Sequence, residues 1–172
     1  MIDFLIDIDT KLFLFLNNLH TDWLDPVMVA ISAKYTWIPL YLALLFFLAR
    51  RFKWQSWLFL ISIVLLVFLT DKVSVHLFKN VFERLRPCHE PALEGLIYTI
   101  NGKCGGKFSF VSSHATNAFG LAVFISWLLA SKKLRWLSAA MLIWAVVVAY
   151  SRIYLGVHYP FDVIGGAMLG VL

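Results

Sequence analysis

Two histidines in the second half of this chain stand in surroundings that suit nucleophilic and acid–base chemistry. His158 is followed by Pro160, and Asp162 lies four residues on. Proline is accepted in the first turn of a helix, so a helix is expected to start near Pro160 with Asp162 in that turn. A carboxylate there can take one imidazole N–H, fix the tautomer and leave the other nitrogen as a nucleophile. His114 stands at the mouth of another apolar run and is placed to protonate a leaving alkoxide. Lys79, Arg86 and Arg152 add three cations with no acidic run beside them. The planar fork of arginine matches paired phosphate oxygens, and lysine supplies a point charge. Ser112 and Ser113 directly precede the apolar run, where free backbone N–H groups and the helix dipole favour an anion. The set describes phosphoryl transfer. No metal is expected, since there are only two cysteines and no carboxylate cluster.

Those residues must be carried by apolar elements. The chain has 172 residues, 61% of them hydrophobic and 15% charged, with mean hydropathy +0.81. Soluble domains carry about 45–50% apolar and about 25% charged residues, so a soluble enzyme, a disordered regulator and a DNA-binding module fit poorly. The formal charge of +5 points to membrane orientation or anionic substrates rather than nucleic acid. We read the chain as one all-α integral membrane domain over residues 1–172, a bundle of about five to six transmembrane helices. A span needs about 20 apolar residues. The spans are Val27 to Ala49, Trp57 to Phe78, Ala115 to Ala130, Leu134 to Tyr150, and Pro160 to Leu172, the last short enough to suggest that the natural chain runs further. Residues 1–20 carry a polar stripe of Asp3, Asp7, Thr10, Lys11, Asn17 and Asn18 and are read as an interfacial helix, with a short extra span as the competing reading. No cleavable signal pattern is present at the start.

Five alternating spans bring the end of span two, the start of three, the end of four and the start of five to one membrane face. Lys79, Arg86, Ser112, Ser113, His114, Arg152, His158 and Asp162 all fall there, and ionisable groups at such depth are functional candidates. The connectors with Arg50, Arg51, Lys53 and with Lys132, Lys133, Arg135 share the other face. The positive-inside rule makes that face cytoplasmic, provided that the equal number of cations opposite is kept for chemistry. The site then faces the periplasm or exterior of a bacterial inner (plasma) membrane. There Cys88 and Cys104 are permitted a disulfide worth about 3 kcal/mol, with two free thiols as the other reading.

Lys79-x6-Arg86-Pro87, then Ser112-x-His114, then Ser151-Arg152-x5-His158-x3-Asp162 resemble the three-part signature of the type 2 phosphatidic acid phosphatase superfamily. That family also includes vanadium-dependent haloperoxidases. The resemblance implies phosphate binding by Lys79, Arg86, Ser112, Ser113 (through its backbone N–H) and Arg152. It also implies His114 as general acid, His158 as a nucleophile forming a phosphohistidine, and Asp162 as its partner. Val111 and Ser113 depart from the Pro-Ser-Gly-His usual in the second block. The implied function is a metal-independent, cofactor-free lipid phosphatase acting on a lipid monoester or terminal pyrophosphate. Undecaprenyl diphosphate, phosphatidylglycerophosphate, phosphatidic acid and lipid A 1-phosphate are candidate substrates. A lipid-to-lipid phosphotransferase and a non-catalytic lipid-binding or translocating protein are the alternatives.

Plainer readings hold elsewhere. His20 and His89 are expected to be structural or solvated, Arg84 and Glu83 a solvated pair, and Lys103 and Lys107 loop charges. Asp71 shares a helical face with Lys79 and either steadies a cation or pairs with Lys72. Trp23, Trp37, Trp54, Trp57 and Trp136 suit interface anchors. Gly166 and Gly170 permit close helix packing, within the chain or between two copies.

Overall fold

The long apolar runs become helices, and the structure, a computed structural model, describes residues 2–102, 104–129 and 134–172. The α-helices are α1 (Ile2–Asn17), α2 (Asp25–Ser32), α3 (Ile38–Phe52), α4 (Ser56–Val73), α5 (Asn80–Phe82), α6 (Ser113–Leu128), α7 (Arg135–Tyr154) and α8 (Pro160–Val171). Among the described residues there is no strand, only one isolated bridge between Leu85 and Phe108. The stretches Lys34–Phe82 and Arg135–Tyr154 are long and apolar enough to cross a membrane. Lys103, Lys132 and Lys133 lie outside the described residues.

The run from Val27 to Ala49, expected as one span, is two pieces. The chain is extended at Ala33 (φ −77°, ψ 124°) and makes a single 3-10 turn before α3 resumes with Pro39 in its first turn. Trp37 bridges the break by donating its indole N–H to the Ile31 carbonyl at 2.7 Å, one of the carbonyls that the end of α2 leaves free. It also packs edge-on against Trp144, with ring centroids 5.5 Å apart. It thus also packs between helices. Lys53, with φ 49°, turns the chain back from α3 into α4, beside Arg50 and Arg51.

Beyond Val73 the helix continues as a π-helical turn, Ser74–Lys79, before α5 closes it. The wider turn changes which residues face the neighbouring helix. Along the contact with α6, Thr70 Oγ1 meets Asn117 Oδ1 at 2.6 Å and Ser74 Oγ meets Ser113 Oγ at 2.8 Å.

Helix α6 is the centre of the bundle. Its Ala118, Leu121, Ala122 and Ile125 form one core with Leu44 and Leu48 of α3 and Met141, Ala145 and Val148 of α7. Helix α8 lies close against it: a Cβ on Gly166 would stand 2.5 Å from the Ser112 carbonyl, and one on Gly170 2.9 Å from the Gly120 nitrogen. The Gly166–Gly170 pair thus serves packing within the chain.

Helix α1 buries Asp9, Phe13 and Asn17, spaced by four and therefore on one face. Its polar contacts go to the ends of α7 and α8 and to the 98 region. Asn17 Nδ2 donates to the carbonyls of Tyr154 (2.9 Å) and Tyr98 (3.1 Å), and Asn17 Oδ1 accepts the Tyr98 N–H at 2.8 Å. Asn17 is thus removed from the solvent stripe expected of it, because a docked helix end requires those backbone groups to be satisfied. His20 stacks on Tyr98 at 3.6 Å and is structural.

Candidate active site

The loop between α7 and α8 sets the nucleophile candidate. Gly156 has φ 72°, and a Cβ there would fall 2.7 Å from the Tyr98 carbonyl, so both conformation and space require glycine. The loop folds back so that the Arg152 carbonyl accepts the N–H groups of Val157 and His158 at 3.1 and 3.2 Å. Pro160 opens α8, and Asp162 Oδ2 accepts the Tyr159 N–H at 2.8 Å. The same oxygen stands 3.5 Å from His158 Nδ1, with both side chains buried. A second element is tied to this corner, since the Ser112 N–H donates to the Asp162 carbonyl at 2.9 Å.

The cations reach the corner from three directions. Arg86 is buried and held by carbonyls: Nε donates to Phe108 at 3.2 Å and Nη1 to Cys104 at 2.9 Å. Its segment pairs with 107–109, the Arg86 N–H donating to Lys107 at 3.1 Å and the Ser109 N–H to Arg84 at 2.8 Å. Cys88 and Cys104 are disulfide-bonded, with Cα atoms 5.9 Å apart. Closing this loop contributes about 3 kcal/mol in the chain-entropy model. Dithiothreitol should therefore lower the melting temperature of the wild type and leave a Cys88→Ser/Cys104→Ser variant unmoved, which differential scanning calorimetry would show.

Arg152 Nη1 donates to Ser32 Oγ at the end of α2, and Lys79 ends the π-helical turn. All three cations act on the charge of both imidazoles, His114 and His158. Burial, and then the charges of Arg152, Arg86 and Lys79, push His158 well below its ordinary pKa, so its imidazole stands neutral. Three buried atoms in this group have no hydrogen-bond partner: Ser112 Oγ, Arg152 Nε and His158 Nδ1.

The structure thus brings together Lys79, Arg86, Ser112, His114, Arg152, His158 and Asp162. The Ser112 N–H is taken by the Asp162 carbonyl, so the free donor of Ser112 is its buried hydroxyl. Ser113 opens α6, with its hydroxyl on Ser74. Asp71 is exposed on α4 and makes no ion pair among the described residues. A cavity of about 610 Å³ leads away from His114 between α3, α4, α6 and α7. Its walls are apolar (Leu44, Val64, Leu121 and Val148 among them), whereas Ser32, Lys34, Asp71, Ser113 and His114 lie at the site end.

Two charged residues at the site escaped the sequence reading. Arg84 does not pair with Glu83. Its Nη1 is 3.0 Å from Asp162 Oδ1 and its Nη2 2.8 Å from Asp9 Oδ2. Asp9 sits more than seventy positions earlier in the chain, and only its burial on an amphipathic helix, invisible to a stripe count, distinguishes it from Asp3 and Asp7.

The sequence profile of the PAP2 superfamily matches residues 55–172. A lipid A 4′-phosphatase from Bacteroides thetaiotaomicron is 40% identical over 99% of this chain and 75% of its own length. Another, from Porphyromonas gingivalis, is 39% identical over 99% of this chain and 71% of its own. The crystal structure of a transmembrane PAP2-type phosphatidylglycerolphosphate phosphatase from Bacillus subtilis matches with TM-score 0.69 at 26% identity, covering 97% of this chain and 81% of that one. The chain belongs to the PAP2 superfamily. It is an integral membrane protein and a hydrolase of the lipid phosphatase class.

Proposed function

We propose that the protein removes the phosphate monoester of a lipid A-type glycolipid through a phosphohistidine on His158, at the extracytoplasmic face of the membrane. The observation that carries the chemistry is the pair of unpartnered donors, Ser112 Oγ and Arg152 Nε, buried beside a neutral His158. Burying such groups costs free energy unless an acceptor meets them, and a phosphate with its oxygens in several directions is such an acceptor. Lys79, Arg86, Arg152, Ser112 and the Ser113 N–H grip the phosphoryl oxygens. Burial, and then the cations, hold the His114 pKa down to about 3, so it is the negative charge of the bound phosphate that lets it hold a proton. His158 Nε2 then attacks phosphorus while the bond to the lipid oxygen breaks, and the His114 imidazolium gives that oxygen its proton. Nδ1 keeps its hydrogen, facing Asp162. Water then attacks the phosphohistidine, His114 takes the water's proton, and orthophosphate leaves with His158 restored. No metal or cofactor enters this scheme.

The apolar cavity accepts acyl chains while the head group meets His114. Two lipid A 4′-phosphatases at about 40% identity favour a glycolipid substrate. The likeness to a phosphatidylglycerolphosphate phosphatase favours that lipid as the second reading. Sidedness is supported by Arg50, Arg51, Lys53 and Arg135 at the bundle end opposite the site, and by a disulfide that suits an oxidising compartment.

A detergent-solubilised substrate panel tests the reading. Orthophosphate release should be fastest from lipid A phosphate, slower from phosphatidylglycerophosphate and undecaprenyl diphosphate, and unchanged by EDTA. No release from any lipid, or transfer of label to a lipid alcohol instead of water, would overturn it. The acid limb of kcat/KM is also expected below pH 6.5. The imidazole must be neutral to attack, and a depressed pKa keeps it neutral until the pH falls further.

A further inference from the structure

We infer that Arg84, held by Asp9 of α1, is a positioning residue for the nucleophile: it fixes Asp162 by Oδ1 so that Oδ2 faces His158. The inference rests on the phosphohistidine reading. The guanidinium bridges two carboxylates, 2.8 Å from Asp9 Oδ2 and 3.0 Å from Asp162 Oδ1, and both aspartates are fully buried. Its plane is set by Tyr159, whose ring centroid lies 3.9 Å from Cζ. Asp9 is itself fixed, its Oδ1 accepting the Phe161 N–H at 2.9 Å. The guanidinium presents its donors in a rigid fork, so two anchored neighbours leave it one orientation.

Arg84 acts through Asp162 rather than on the substrate. It lines a separate pocket of about 480 Å³ with Ile6, Thr10, Glu90 and Tyr159, not the cavity that ends at Ser113 and His114. As the bond from Nε2 to phosphorus forms, positive charge develops on the ring that carries the Nδ1 hydrogen. The Asp162 oxygen beside Nδ1 stabilises that charge only while the carboxylate keeps its rotation. Helix α1 thereby reaches the reaction centre through one ion-pair relay, Asp9 to Arg84 to Asp162 to His158.

Steady-state kinetics on Arg84→Gln, Arg84→Lys, Asp9→Asn and the Asp9→Asn/Arg84→Gln double variant test this. Outer partners that orient metal-ligating side chains are worth about 10–100-fold; by analogy Arg84→Gln should lose about that much in kcat, with KM within about threefold of wild type. Arg84→Lys should recover part of the loss, having the charge without the fork. Asp9→Asn retains an acceptor for the Phe161 N–H and should lower kcat several-fold. In the Arg84→Gln background it should cost nothing more, because its effect runs through Arg84. Wild-type kcat in Arg84→Gln, a loss appearing in KM, or multiplied losses in the double variant would overturn the inference. If Arg84→Gln does not purify as a folded protein, Arg84→Lys is read in its place: a wild-type kcat, or a loss confined to KM, would overturn the inference. His158→Ala, assayed alongside, separates the two claims: turnover without His158 defeats the phosphohistidine, whereas a dead His158→Ala beside a fully active Arg84→Gln defeats only the relay.

Discussion

His158→Ala should abolish phosphate release, with kcat falling by at least about 10⁴-fold. Losses of that order or larger follow removal of a nucleophile that acts as one unit with its partners. The cradle is built from other residues, so orthophosphate or vanadate should still bind the variant within about tenfold of the wild-type Kd, measured by isothermal titration calorimetry. Wild-type enzyme quenched during turnover of labelled substrate should carry acid-labile, base-stable phosphate, and His158→Ala should carry none. Retained turnover in the variant would remove His158 from the role of nucleophile, whatever the affinity for phosphate.

The second large effect is expected at His114. His114→Gln should lower kcat on a lipid phosphate by about 10²–10⁴-fold, the range of general acid catalysis. The loss should depend on the leaving group. An alkoxide needs a proton as the P–O bond breaks, whereas p-nitrophenolate leaves without one, so on p-nitrophenyl phosphate the variant should lose only a few-fold. An equal loss on both substrates would mean that His114 binds the phosphoryl group rather than protonating the leaving oxygen. His114 lines the apolar cavity at its polar end, which is where the proposed mechanism puts the leaving lipid oxygen.

Much of this arrangement was legible from residues alone, for a definite reason. Apolar spans must alternate across a bilayer, so Lys79, Arg86, Ser112, Arg152 and His158 could be assigned to one face without any coordinates. The disulfide is not legible, because two cysteines in a loop fix no geometry. What could not be read depended on side-chain direction. The break at Ala33 is held by Trp37 reaching back to Ile31, a contact that hydropathy does not record. Asn17 looked like any solvated residue until its amide met the carbonyls of Tyr98 and Tyr154. Which group of Ser112 is free for an anion is likewise not legible, since its N–H goes to the Asp162 carbonyl and its hydroxyl is left without a partner. Arg84 and Asp9 escaped because long-range pairing of one arginine with two distant aspartates leaves no periodic trace.

The walls of the large cavity include Leu60, Val64 and Val67 of α4, side chains that are themselves exposed, so the cavity is open along this helix. If the cavity takes the lipid as proposed, substrate enters sideways from the surrounding apolar phase without first dissolving in water, and the encounter is two-dimensional. In mixed micelles the rate should follow the mole fraction of lipid phosphate in the surface and fall when inert detergent is added at fixed bulk concentration, in the manner of surface-dilution kinetics.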